Sequence, residues 1–135
     1  MRIVPCVGGL VYDDRGRLLL VLRAHDPARG TWSIPGGKVE PGEDGAAAVS
    51  RELREETGLE VAPTRLVGVV ERPAPDGGTF VIEDFACQVL GGVLCAGDDA
   101  DDVRWFSAAD LAATDPGSLA PGLLDALAGW TALPR

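Results

Sequence analysis

The stretch from Gly36 to Leu59 constrains this chain more than any other. Residues 44–57 are predicted as a helix, because Asp44 suits the N-cap, Gly58 suits the left-handed position past the end, and Ala, Leu, Arg and Glu fill the interior. Ala46, Val49 and Leu53 recur at i, i+3 and i+7 and are expected to face the core. On the same helix Glu52, Glu55 and Glu56 stand at i, i+3 and i+4, so three carboxylates crowd one face within a turn. Like charges at that spacing destabilise a helix by roughly a few tenths of a kcal/mol per pair, and Arg51 and Arg54 offset only part of this. On its own such a run reads as a solvated helix face, so its surroundings decide. Hard oxygen ligands clustered in this way are what magnesium or manganese prefers, and Gly36-Gly37 ahead of the helix lets backbone approach a metal or phosphate with no Cβ in the way.

Around the helix, residues 2–12 and 17–23 read as the two strands of a hairpin joined by the polar turn Asp13-Asp14-Arg15-Gly16. A loop over 24–31 carries Pro27 and Gly30, a short strand follows at Trp32-Ser33-Ile34, and Pro35-Gly36-Gly37 makes a turn. Past the helix, strands are expected at about 61–72 and 79–90, then an acidic loop over 98–102 and a short strand over 103–106. Ser107 with Asp110 opens a short helix in capping-box style, and a last helix over about 121–130 carries Leu123, Leu124, Leu127 and Trp130 on one side. This order predicts an α/β (α+β) chain, an α/β/α sandwich around a central mixed sheet, with residues 1–135 as a single domain.

Composition narrows the partners. An apolar share of 46% and a charged share of 24% are those of a soluble globular protein, and no apolar run approaches the ~20 residues that span a bilayer. The apolar start is interrupted by Pro5 and Gly8-Gly9, meets no small-x-small cleavage site and ends at Asp13-Asp14-Arg15, so it reads as a strand of a cytoplasmic protein rather than a signal peptide. Cys6, Cys87 and Cys95 are odd in number and lack metal-ligand spacing, which suits a reducing compartment and small core or strand residues. A net charge of −9 repels polyanions and excludes nucleic acid as a partner, leaving a small phosphorylated ligand whose charge metal ions balance.

With its flanks, the helix matches a known signature in full: Gly37, five residues, Glu43, seven residues, Arg51-Glu52-Leu53, one residue, Glu55-Glu56, one residue, Gly58-Leu59. Fixed residue types at such spacing arise by chance in a chain of this length about once in a million. The stretch resembles the Nudix box, and the chain is similar to Nudix hydrolases. The resemblance implies a loop-helix-loop on a β-sandwich flanked by helices, whose glutamates bind divalent cations that bridge a diphosphate. Carried over by position, Glu52, Glu55 and Glu56 become metal ligands, one of them also a general base; Arg51 and Glu43 hold them in place, and the Gly36 carbonyl is a further ligand. The implied cation is Mg2+, with Mn2+ as the alternative, and the implied partner is a small nucleotide bound by a monomer or homodimer.

Asp99, six residues before Trp105, falls where the family often places another acidic ligand or base. Arg23 ends the second strand where relatives place a phosphate-binding Arg, and Lys38 follows the turn as a second cation; Trp32, Phe80 and Phe85 are candidates to stack a base, Trp32 first among them. His25, a lone loop histidine, receives no role. Thr31-Trp32-Ser33-Ile34-Pro35, Val70-Glu71-Arg72-Pro73 and Gly97-Asp98-Asp99-Ala100 resemble the small bacterial branch described as ADP-ribose pyrophosphatase-like, and Pro75, sixteen residues after Leu59, stands near that branch's marker proline. The chain has no Asn, and Gln88 is its only Gln, so few amide side chains are present to read a base edge. The reading is hydrolysis at the phosphate-phosphate bond of ADP-ribose or a similar nucleoside diphosphate sugar. The runner-up is a pyrophosphohydrolase of modified nucleoside triphosphates, and a third reading is a non-catalytic nucleotide-sensing domain.

Overall fold

The computed structural model describes residues 2–97 and 99–135, so Asp98 of the acidic loop lies outside the described residues. The elements run β1 (Ile3–Val11), β2 (Leu18–Arg23), β3 (Trp32–Ser33), β4 (Gly36–Lys38), α1 (Gly45–Thr57), β5 (Leu59–Pro73), β6 (Thr79–Gly92), β7 (Ala100–Phe106), α2 (Ala108–Ala113), a 3-10 turn at Pro116–Ser118, and α3 (Leu123–Gly129). They form a four-stranded sheet in the order β4-β1-β6-β5 and a three-stranded sheet in the order β3-β2-β7. Within the larger sheet β1 runs parallel to β6 and antiparallel to β4, which makes it mixed.

Side chains alternate across that sheet. Val7 and Val11 of β1 pack with Ala48, Val49 and Leu53 of α1 on one face, while Leu10 joins Leu123 and Leu127 of α3 on the other. Each such side chain contributes roughly 1.5–3 kcal/mol when fully buried, so α1 and α3 clamp the sheet from opposite sides. The expected sandwich around a mixed sheet is what forms.

The first hairpin is not. β1 and β2 belong to different sheets, and among the described residues the isolated bridge Tyr12–Leu18, just past β1, is their only pairing. Both edges of β1 are already taken by β4 and β6. In β2, Leu18, Leu19, Leu20 and Val21 are all buried, which requires cover on both faces and places the strand between β3 and β7. The turn expected at residues 35–37 contains the start of β4, because Gly36 to Lys38 extend beside β1. β7 begins at Ala100 rather than residue 103; Asp101 and Asp102 point to solvent from a strand, so their acidity is compatible with pairing.

α1 ends as expected: Ala47 N–H donates to Asp44 Oδ1 at 2.8 Å, and Gly58 takes φ 76° with its N–H on the Arg54 carbonyl. Its buried stripe is rotated, however. Ala46 is exposed and Ala48 is buried in its place, beside Val49, Leu53, Glu56 and Thr57. Leu124 of α3 likewise points outward, because Leu123 and Leu127, four apart, define the inward side. Cys6 is buried and Cys87 half-buried on their strands, whereas Cys95 is exposed in the segment after β6 and is not a core residue. Among the described residues no helix is long and apolar enough to cross a membrane.

Candidate functional site

Arg51 organises the acidic face of α1. Its guanidinium binds Glu43 through two bonds of 2.7 and 2.9 Å, Glu52 at 2.9 Å, Glu55 at 3.1 Å and the Lys38 carbonyl at 3.0 Å. One planar cation therefore ties the helix to the Glu43 loop and to β4. Those contacts hold Glu43 down at about 2, through the hydrogen bonds of Arg51 first and the backbone N–H of Glu40 second.

Glu56 and Glu52 lie against the two glycines. Glu56, 9% exposed, accepts from Gly36 N–H at 3.1 Å. A Cβ on Gly37 would stand 2.6 Å from the Glu52 carboxylate, and one on Gly36 would collide with the Val7 carbonyl, so this approach requires glycine at both positions. Burial pushes Glu56 up to about 8, with Gly36 N–H and Arg23 opposing the rise and Glu52 and Asp99 adding to it. Burial also raises Glu52 against the pull of Arg51, and Glu55 and Asp99 push the same way.

The segment after β6 is stapled to the end of α1. Cys95 N–H donates to the Thr57 carbonyl at 2.9 Å and Gly97 N–H to the Glu56 carbonyl at 2.8 Å, satisfying helix carbonyls that have no partner within the helix. This brings Asp99 close enough for its charge to be felt by Glu52 and Glu56. Asp99 is exposed and faces His25 at 3.6 Å. His25 had no sequence signal, since its partner is about seventy-five residues away and only the fold makes them neighbours. Arg23 is on the same side: its Nε donates to the Pro27 carbonyl at 2.7 Å while its charge favours ionised Glu56.

Thus Glu43, Arg51, Glu52, Glu55, Glu56, Gly36, Arg23 and Asp99 form one neighbourhood. Lys38 is exposed at the end of β4, joined to it through its carbonyl. Trp32 is elsewhere. Its ring packs edge-on against Phe106 at 5.0 Å, with Arg104 over it at 5.5 Å, in the cluster beneath α3. Phe85 packs in the α1 cluster. As arranged, the side chains are drawn to Arg51 and Gly36, and among the described residues no three His, Cys, Asp or Glu side chains converge to enclose an ion by themselves. The donor set nevertheless fits a divalent cation: hard carboxylate oxygens that raise one another's proton affinity are relieved by positive charge.

The sequence reading missed Asp84. It is 5% exposed on β6, on an inward face otherwise made by Phe80, Ile82 and Ala86, and an acid at an apolar beat of the strand was the available signal.

The family described as NUDIX domain matches residues 2–126. Over 101 residues the chain is 42% identical to the ADP-ribose pyrophosphatase of Methanocaldococcus jannaschii, covering 74% of this chain and 59% of that one. It is 37% identical over 89 residues to the 8-oxo-dGDP phosphatase of Mus musculus, covering 66% of this chain and 26% of that protein. The chain therefore spans less than two thirds of the length of either relative. The crystal structure of a MutT Nudix hydrolase from Burkholderia pseudomallei superposes with a TM-score of 0.78 at 30% identity, covering 95% of this chain and 98% of that one. A family match over nearly the whole length, a shared fold and an intact box on its glutamate helix lead to one assignment: the chain belongs to the Nudix family.

Proposed function

We propose that the chain is a hydrolase that cuts the phosphate-phosphate bond of a small nucleoside diphosphate derivative, with ADP-ribose or a similar nucleoside diphosphate sugar as the leading substrate. The observation that carries this is the acidic face of α1 against the Cβ-free backbone of Gly36 and Gly37, where Arg51 holds Glu52 and the Gly36 N–H holds Glu56. Glu52, Glu55, Glu56, the Gly36 carbonyl and Asp99 would hold the divalent cation, Mg2+ with Mn2+ as the alternative. Such a cation supplies charge neutralisation at the diphosphate and makes water more acidic.

The chain's own groups do the rest. Arg51 and Glu43 position the helix glutamates. Arg23 brings positive charge to the side where phosphate oxygens gather, and one of Glu52, Glu55, Glu56 or Asp99 takes the proton of the attacking water. The free thiols of Cys6, Cys87 and Cys95 support a cytoplasmic location as part of this reading.

The name of the archaeal relative supports ADP-ribose, and that of the murine relative keeps modified nucleotides as the second reading. A sensing domain without turnover has no need of the intact glutamate cluster. The test is a nucleotide panel with magnesium, read as phosphate released after phosphatase treatment. The kcat/KM for ADP-ribose is expected to exceed that for canonical and oxidised deoxynucleoside triphosphates by at least roughly tenfold, about 1.4 kcal/mol in transition-state binding. A triphosphate consumed faster than ADP-ribose at equal concentration promotes the second reading.

A further inference from the structure

Across the larger sheet, one row of paired residues reads Gly36, Gly8, Asp84, Gly68, from β4 through β1 and β6 to β5. Three of the four have no side chain. The strands lie about 4.8 Å apart, so the row extends roughly 14 Å and Asp84 stands about 10 Å from Gly36. One end meets the acidic helix, where Gly36 N–H binds Glu56. At the other end Trp130 packs so close over Gly68 that a Cβ there would strike the indole. Between them the Asp84 carboxyl leans over Gly8 beside Ile34, and any side chain at Gly8 would occupy its place.

Asp84 is the single reading group in this row. Among the described residues nothing donates a hydrogen bond to it, and no side-chain oxygen is both sealed from solvent and unpartnered. Its carboxyl is therefore deeply buried but not wholly sealed from solvent. Arg72 contributes charge from the rim, next to Gly122. A buried carboxyl without a donor costs stability, and an external donor removes that cost.

We propose that Asp84 reads the nucleobase, a ring N–H or amino group donating to its carboxyl while the diphosphate reaches the glutamates at the Gly36 end. The inference rests on the reading of the chain as a nucleotide hydrolase and adds the residue that selects the base. Burial, which pushes the Asp84 carboxyl up to about 7, agrees with a group awaiting a partner.

The experiment compares wild type, Asp84→Ala and the near-isosteric Asp84→Asn. Substrates are diphosphoriboses carrying adenine, guanine or uracil, and a base-free diphosphate joining two riboses at their 5-positions. In wild type the preferred base is expected to improve kcat/KM over the base-free compound by at least roughly tenfold. In both variants that advantage falls to within about threefold, with the loss in KM. An advantage that persists in both variants overturns the role of Asp84. A loss equal on base-free and base-bearing substrates also overturns it, because such a loss marks a structural role or a ribose contact. Wild type that turns over none of these diphosphates overturns the hydrolase reading instead, so the two failures are distinct.

Discussion

Glu56 on α1 and Asp84 on β6 are carboxyls of similar burial, 9% and 5% exposed, and burial raises both, to about 8 and about 7. Their company differs. Glu56 stands among Glu52, Asp99 and Arg23 and accepts from Gly36 N–H, whereas Asp84 has glycines on both neighbouring strands and only the charge of Arg72 nearby. Crowded carboxylates call for a cation, because each further negative charge raises the cost of ionising the next. A solitary one calls for a neutral donor. On the proposed reading, the two carboxyls serve the two ends of a nucleotide.

The comparison is broken most forcefully at the crowded end. Glu56→Gln or Glu52→Gln is expected to lower kcat by roughly 10²-fold or more while the far-ultraviolet circular dichroism stays native. Near-normal turnover in either variant removes the helix from the chemistry. Arg51→Ala keeps every carboxylate but releases Glu43, Glu52 and Glu55 together. It should cost roughly 10- to 100-fold in kcat, since misplacement of about 1 Å has effects of that size. Gly37→Ala and Gly8→Ala then set the ends against each other, as each new Cβ displaces one carboxyl, Glu52 or Asp84. The first should reduce kcat, and the second should raise KM for base-bearing substrates. Steady-state kinetics in which both act on the same parameter would erase the distinction.

The smallest effect is in stability without metal. A carboxyl with a folded-state pKa above its unfolded value favours folding while protonated. The contribution is complete below about pH 4 and is lost as pH rises, through about 7 for Asp84 and about 8 for Glu56. In chelator, the melting temperature should fall by several degrees from pH 5 to pH 8.5. Glu56→Gln and Asp84→Asn should each flatten that fall. Millimolar magnesium should restore the part lost through Glu56, by binding the native state, and leave the part lost through Asp84. Calorimetry with equal magnesium shifts in wild type and Glu56→Gln would place the ion elsewhere.

What the sequence disclosed follows from how local each signal is. Asp44, Gly58 and the glutamate spacing act within one helix, so α1 and its acidic face are legible without the fold. The rotated stripe is less so, because which of Ala46 and Ala48 is buried depends on where β1 and β5 press against the helix. The partition of β1 and β2 into separate sheets required knowing that β4 and β6 already flank β1. His25 beside Asp99, and the alignment of Gly8, Asp84 and Gly68, are products of strand register alone. Each glycine by itself reads as a break in a strand; only paired across strands do they show where Asp84 and Trp130 are seated.

The central claim is that this acidic helix cuts ADP-ribose between its two phosphates. ADP-ribose incubated with the protein, with magnesium and in excess chelator, and resolved by chromatography and mass spectrometry, tests it directly. AMP and ribose 5-phosphate should appear together, in equal amounts and only with metal. Intact ADP-ribose in both incubations, or free adenine or ADP as the product, would contradict it.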